Sequence, residues 1–267
     1  MFFNIQEKNI TVNGIRMNYV VFGNGKIPLI ILPGLGDGLK SVRGQSVSLA
    51  IFYREFAQKF RVYIFSRKNV LDEGYTTKDM AKDQKGALEK LGIDRFYLMG
   101  VSQGGMIAQH LAIDYPDMVE KLVLAVSISK PNDVFYNTIS RWVELAKTTD
   151  YKNLIIDTCE STYTTKRLKL YRLIYPILSK VGKPKDFDRF LIQAKSCVTH
   201  NTYNELQEIK CPTLIAGGEN DKIVGKEASE EMAKKISGSK LIIYKEFGHG
   251  AYEESKNFNQ QVIGFLK

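Results

Sequence analysis

Apolar residues in this chain fall into short, separated clusters. From Ile10 to Phe22, apolar and polar positions alternate about Asn13-Gly14, a turn dipeptide, which predicts a hairpin with a half-exposed face. The pattern then changes to four compact runs rich in Ile, Val, Leu and aromatic residues: Pro28 to Leu32, Arg61 to Phe65, Arg95 to Met99 and Lys121 to Val126. Each of the first three gives way to a loop and then to a helical stretch. That is the rhythm of βαβ units, whose strands are buried on both faces and so lose their polar alternation. The segment Tyr75 to Leu91 shows the helical period well, with Met80, Ala87, Leu88 and Leu91 near one face and Gly92 as a stop.

From about Lys130 to Glu205 the alternation of strand and helix lapses into a helical, aromatic-rich and basic stretch holding Trp142, the only tryptophan. After Pro212 the strand signal returns in Thr213 to Ala216, followed by a helix from Lys226 to Ile236, a strand from Lys240 to Tyr244 and a last helix to Lys267. The reading is an α/β fold with a mostly parallel central sheet, helices on both faces and a helical insertion. Residues 1–129 form the first part of the core, 130–205 the insertion and 206–267 the second part. No internal repeat or low-complexity linker divides the chain into independent domains.

A length of 267 residues with 44% hydrophobic composition is enough for one sizeable core. The net charge of +9 raises the question of a polyanionic partner. Lys and Arg are interleaved with Asp and Glu almost throughout, as in Lys78, Asp79, Lys82, Asp83, Lys85, Glu89 and Lys90, which reads as solvated helix surface and argues against nucleic acid. Cys159, Cys197 and Cys211 form no C-x-x-C pair, and with three histidines in the chain no metal-ligand spacing is present. Met1 to Lys8 has no basic region followed by a long apolar stretch, and no apolar run nears the ~20 residues of a membrane span. These features predict a cytoplasmic protein with reduced thiols, no metal and no stable membrane insertion.

The strand at Arg95 to Met99 runs directly into Gly100-Val101-Ser102-Gln103-Gly104-Gly105, followed at once by an apolar helix from Met106. This is G-x-S-x-G in the context of strand, sharp turn and helix. A serine on such a turn takes strained backbone angles, and small residues two positions either side let strand and helix pass closely. Its hydroxyl is lifted into the cleft at the carboxyl ends of the strands, with a helix N-terminus behind it to favour developing negative charge. The alternative for Ser102 is a helix cap in a glycine-rich connection.

With these residues the chain resembles the α/β-hydrolase superfamily, over nearly its whole length, the middle insertion matching in position only. The resemblance implies a serine nucleophile, then an acid, then a histidine in chain order. Gly217-Gly218-Glu219-Asn220-Asp221 looks like the family's acid loop, with Asp221 at the matching position, and Phe247-Gly248-His249-Gly250 looks like its histidine loop. Of the other histidines, His110 falls within the helix after Ser102, pointing away from the catalytic end, and is expected as a packed or surface residue, while His200 lies in the insertion, where a structural role is expected and lining a pocket is the alternative. Glu219 and Asp133 remain rivals to Asp221 as the acid. Pro33-Gly34-Leu35-Gly36 stands where the family carries its oxyanion loop, which points to the backbone N–H groups of Leu35 and Gln103 as donors. Pro33 departs from the histidine common there, a change that a backbone donor tolerates. A phosphate-binding reading fails because no Lys-Ser/Thr follows.

The resemblance implies acyl transfer to water without a cofactor, on a small-molecule substrate. A serine at the elbow argues against dehalogenase and epoxide-hydrolase relatives, which place a carboxylate there. The elbow looks like that of small-molecule esterases, lactonases and cofactor-free haloperoxidase relatives. Carboxylesterase is the broadest expectation, with carbon–carbon hydrolase, lactonase, thioesterase and a ligand-binding or signalling protein as alternatives. The insertion sits where the family carries its cap, so Trp142, Tyr171 and Tyr175 are the expected substrate-binding residues, among aromatics that include Phe135, Tyr136, Phe187 and Phe190.

Overall fold

A computed structural model describes residues 4–267, so the first three residues of the N-terminal stretch read above lie outside the described residues. Eight strands form one sheet: β1 (Gln6–Val12), β2 (Ile15–Phe22), β3 (Pro28–Leu32), β4 (Arg61–Lys68), β5 (Phe96–Val101), β6 (Val119–Ala125), β7 (Thr213–Gly218) and β8 (Lys240–Tyr244), in spatial order β1-β2-β4-β3-β5-β6-β7-β8. The first two junctions, β1–β2 and β2–β4, are antiparallel and the rest parallel. Asn13 and Gly14 both have positive φ, 49° and 78°, which is the two-residue turn that matches strand twist. Only β1 keeps the half-exposed alternation predicted for the hairpin. β2 is buried along nearly its whole length because its residues pack into the cores on both faces of the sheet, Met17, Tyr19 and Val21 on one side and Val20 and Phe22 on the other.

The helices are α1 (Ser46–Phe52), α2 (Arg54–Ala57), α3 (Thr77–Lys90), α4 (Gln103–Asp114), α5 (Asp133–Lys147), α6 (Tyr151–Thr162), α7 (Thr165–Leu178), α8 (Asp188–Val198), α9 (Glu227–Lys235), α10 (Ala251–Glu254) and α11 (Phe258–Leu266). The predicted last helix is therefore two pieces, broken at 255–257.

The strand period of two divides the core. On β3, Ile30 and Leu32 pack with Met80 and Leu88 of α3, Leu111 of α4 and Met232 of α9. Leu29 and Ile31 face the other way, into a core shared with Phe56 of α2 and Phe258, Val262 and Leu266 of α11. A third cluster lies above the carboxyl ends of the strands. There Phe135, Ile139 and Trp142 of α5 and Phe190 and Ala194 of α8 pack with Leu35, Met106, Ile223 and Val224. Of the four helices between β6 and β7, α5, α6 and α8 thus bury their apolar faces against the loops that leave the sheet.

The strand predicted at Arg61 to Phe65 continues through Ser66, Arg67 and Lys68, all buried. Polar residues extend an apolar strand here because their partners are built in: Lys68 pairs with Asp83 at 2.9 Å, and the Arg67 amide donates to Asp37 Oδ2 at 3.1 Å.

Candidate active site

Ser102 sits between β5 and α4 with φ 52° and ψ −118°, a conformation that costs a non-glycine residue about 1–3 kcal/mol and persists only where the surroundings impose it. The surroundings are visible. The Ser102 amide donates to Ala125 O at 2.9 Å and the Ser127 hydroxyl donates to Ser102 O at 2.8 Å. A Cβ at Gly104 would lie 1.9 Å from Leu32 O, and one at Gly100 would lie 2.4 Å from Gly104 O. Both glycines are therefore required for α4 to start this close to β3 and β5.

His249 follows β8 and Asp221 follows β7, and their side chains meet: Nδ1 of His249 lies 2.8 Å from Oδ2 of Asp221. The other carboxylate oxygen accepts the amides of Ile223 at 2.8 Å and Val224 at 3.0 Å, so both oxygens have partners and the carboxylate cannot rotate away. Both side chains are buried, each residue only 7% exposed. The two rivals for the acid position point elsewhere. Glu219 is exposed in the same loop, and Asp133 is exposed in the first turn of α5.

The amides of Leu35 and Gln103 share one property. Leu35 opens a short 3-10 turn, Leu35–Gly38, and Gln103 opens α4, and neither turn has a side-chain cap. First-turn N–H groups have no partner within their own helix, so both are free to meet an external oxygen. Gly34 rests on the serine, where an added Cβ would be 3.3 Å from Ser102 Cβ.

Ser102, His249 and Leu35 line one cavity of about 390 Å³, floored by the elbow and walled by α1, α5, α6 and α10. Among the described residues no hydrogen bond joins the Ser102 hydroxyl to His249; such contacts commonly tighten only when substrate arrives. Trp142 lines the cavity, with its Nε1 held by Asp157 Oδ2 at 2.6 Å.

Tyr171 and Tyr175 do not line it. Tyr171 stacks on Tyr163 with centroids 4.6 Å apart, and Tyr175 donates to Glu160 Oε1 at 3.0 Å, so both are spent fastening α7 to α6. Phe135, Phe187 and Phe190 are cap core and Tyr136 is exposed. The aromatic wall is instead Tyr53, Tyr163 and Tyr252, with Cys159 and Glu253 beside them. Burial pushes the Cys159 thiol up to about 11, so it stays protonated and unreactive near neutral pH.

Sequence reasoning also missed what lies beneath the site. Arg67 donates through Nη2 to Pro33 O at 2.7 Å and to Gln103 Oε1 at 2.9 Å, while Nε2 of Gln103 reaches Gln193 O of α8 at 2.9 Å. Asp37 holds Arg189 of α8 in an ion pair under the same loop. The one sequence signal was a strand ending in buried polar residues, which resembles a solvent-exposed strand end.

A serine in a strained elbow, two uncapped amides and a buried histidine–carboxylate pair on a mostly parallel sheet define a class: α/β proteins equipped for nucleophilic chemistry. Residues 27–256 match the family described as alpha/beta hydrolase fold, and the chain belongs to that family. A curated relative from Klebsiella pneumoniae, a 2-hydroxy-6-oxononadienedioate/2-hydroxy-6-oxononatrienedioate hydrolase, is 25% identical over 279 residues, covering 99% of this chain and 94% of the relative. Among solved structures, MGS-M2, an alpha/beta hydrolase enzyme from a Medee basin deep-sea metagenome library, superimposes with TM-score 0.84 at 24% identity, covering 97% of each chain. The enol-lactonase from Burkholderia xenovorans LB400 does so with TM-score 0.80 at 21% identity, covering 97% of this chain and 99% of the other.

Proposed function

We propose that this protein is a serine hydrolase that cleaves a small-molecule ester or a related acyl compound through an acyl-enzyme on Ser102. The observation that carries the reading is the strained Ser102 sharing one cavity with the His249–Asp221 pair and the uncapped turn at Leu35. In this reading Ser102 attacks the carbonyl carbon as His249 Nε2 takes its proton, and Asp221 holds the ring through Nδ1 and stabilises the imidazolium. The amides of Leu35 and Gln103 bind the oxyanion, where loss of one such donor typically costs about 3–4 kcal/mol of transition-state stabilisation. His249 then returns the proton to the leaving group, and water releases the acyl group by the same steps in reverse.

The charges in the cavity bear on the substrate. Asp37 is turned to Arg189 and Arg67, which leaves Glu253 in the wall and exposed Lys40 at the rim, with no arginine among the lining residues. A carboxylate beside the acyl site suits a neutral acyl group better than a dianion. Carbon–carbon or lactone cleavage by the same residues is the second reading, favoured by the full-length likeness to the dienedioate hydrolase and the enol-lactonase.

The test has two arms. A fluorophosphonate probe should label the wild-type protein at Ser102 and leave folded Ser102→Ala unlabelled; an unlabelled wild type would leave a ligand-binding protein on a hydrolase fold. A panel of p-nitrophenyl esters, lactones, thioesters and β-diketones should then show turnover of short neutral esters. Turnover of the diketones with the esters untouched would replace the esterase reading by the second one.

A further inference from the structure

Helix α7 presents two apolar faces, and only one of them is used. Leu168, Tyr171, Tyr175 and Leu178 face the protein: Leu168 is buried, Tyr171 stacks on Tyr163 and Tyr175 bonds to Glu160. On the opposite side Leu170, Leu173, Ile174, Ile177 and, just past the helix end, Val181 recur at i, i+3, i+4, i+7 and i+11, forming one stripe. All five are exposed, Leu173 by 78% and Leu170 by 62%. A single exposed leucine is common; five aligned ones form an apolar stripe of the kind that marks interaction surfaces.

The charge around the stripe narrows what binds there. Interleaving of acids and bases fails in this segment, since Ser161 to Lys185 contains seven Lys and Arg residues and no Asp or Glu. Arg172 is paired with Glu160, whereas Lys166, Arg167, Lys169, Lys180, Lys183 and Lys185 take part in no ion pair among the described residues. A second copy docking through the stripe would bring two such cationic segments together. An anionic bilayer surface satisfies both the apolar stripe and its cationic flanks, which is the composition of helices that lie in the headgroup region.

Position adds a second argument. α7 begins directly after Thr162 and Tyr163, which line the catalytic cavity. On another wall of that cavity α1 contributes Leu49 while exposing Val47 and Ile51. We propose that the outer face of α7 is a peripheral docking surface for anionic lipid membranes, which seats the protein with its cavity beside the bilayer. The contact is interfacial, as no helix among the described residues is long and apolar enough to cross a membrane. Docking rests on α7 alone and stands whether or not the hydrolase reading does.

Co-sedimentation of the full chain with vesicles tests this. Binding to equimolar phosphatidylcholine and phosphatidylglycerol should exceed binding to pure phosphatidylcholine at least about tenfold, since each basic residue at an anionic surface is worth about fivefold in partitioning. It should weaken as salt rises. The double variant Leu173→Asp, Ile177→Asp should lose at least about tenfold of the anionic binding, with circular dichroism and thermal unfolding as wild type. Lys166→Glu with Lys180→Glu provides a second variant that touches no packed residue. The proposal is overturned by equal or absent binding to the two vesicle types, by binding that survives both double variants, or by light scattering that shows a dimer abolished by Leu173→Asp in a protein that ignores vesicles.

Discussion

Arg67 lies at the end of β4, 1% exposed, with one nitrogen donating to the Pro33 carbonyl and to the Gln103 side-chain oxygen, one acceptor from each loop that carries a proposed oxyanion donor. Pro33 precedes Gly34-Leu35, and Gln103 supplies the second amide, so the guanidinium fixes the spacing between the two loops. It acts through them and touches no substrate. Arg67→Lys keeps a cation near Asp37 but cannot span both acceptors, because an ammonium lacks the planar fork. A misplacement of about 1 Å at a catalytic centre costs on the order of a hundredfold, so kcat should fall roughly ten- to a hundredfold with KM nearly unchanged. Steady-state kinetics on a folded Arg67→Lys protein would check it, and an unchanged kcat would remove the positioning role. At this scale the legible residues were those whose neighbours encode a conformation: Ser102 between glycines, His249 between glycines after a strand. Asp37, Arg67 and Arg189 were illegible because each looks like surface charge until the three meet across separations of 30 to 152 positions. Tyr171 and Tyr175 misled for a related reason. Both turn inward, but onto Tyr163 and Glu160 and not into the cavity, and periodicity does not say what an inward face meets.

Between elements, the two histidines outside the site hold one junction. His110 of α4 and His200, just after α8, meet edge to face with centroids 5.3 Å apart, and His200 Nδ1 lies 3.0 Å from the Thr77 hydroxyl at the start of α3. Burial pushes His110 down to about 4 and His200 down to about 3, so both rings are neutral in the fold. An unfolded chain protonates them near 6.5, and it therefore binds more protons than the folded one below that pH. Their contribution to stability is whole above about pH 6.5 and is lost as pH falls towards 4, at about 1.4 kcal/mol per unit for each ring. Between pH 7 and pH 5 that is about 2 kcal/mol per histidine. Urea unfolding of wild type and His110→Phe at both pH values should give a smaller loss in the variant by about that amount; equal losses would mean that the folded ring takes up its proton as readily as the unfolded one. His110 was expected as a packed or surface residue from its place in the apolar helix after Ser102, and His200 as a structural residue of the insertion, but the pairing itself joins positions 110 and 200 and has no local signal. Strand runs were legible because burial on both faces writes an unbroken apolar cluster, and the α3 period because one buried face repeats every three to four residues. The break between α10 and α11 was not, since nothing in Ser255-Lys256-Asn257 forbids a helix as proline would.

Over the whole molecule, the cap and the sheet share side chains and so should share a fate. Trp142 packs in a cluster whose members come from α5 and α8 but also from Leu35 of the loop after β3, Met106 of α4 and Val224 after β7. Separating the cap would expose the apolar faces of Leu35 and Met106 together with those of Phe135 and Phe190, each large side chain worth about 1.5–3 kcal/mol when fully buried. The charged contacts run the same way, as Arg189 of α8 is locked to Asp37 and to the carbonyls of Arg67 and Lys68 at the carboxyl end of β4. Such coupling predicts that the inserted helices do not melt ahead of the sheet. The only tryptophan makes this measurable, because fluorescence reports the cap while far-ultraviolet circular dichroism is averaged over every helix and strand. In a urea titration the two signals should share one midpoint and one slope, as a cooperative unit requires. A fluorescence transition at lower urea would show the cap opening independently, and access to the cavity would then be controlled by local unfolding of α5 to α8.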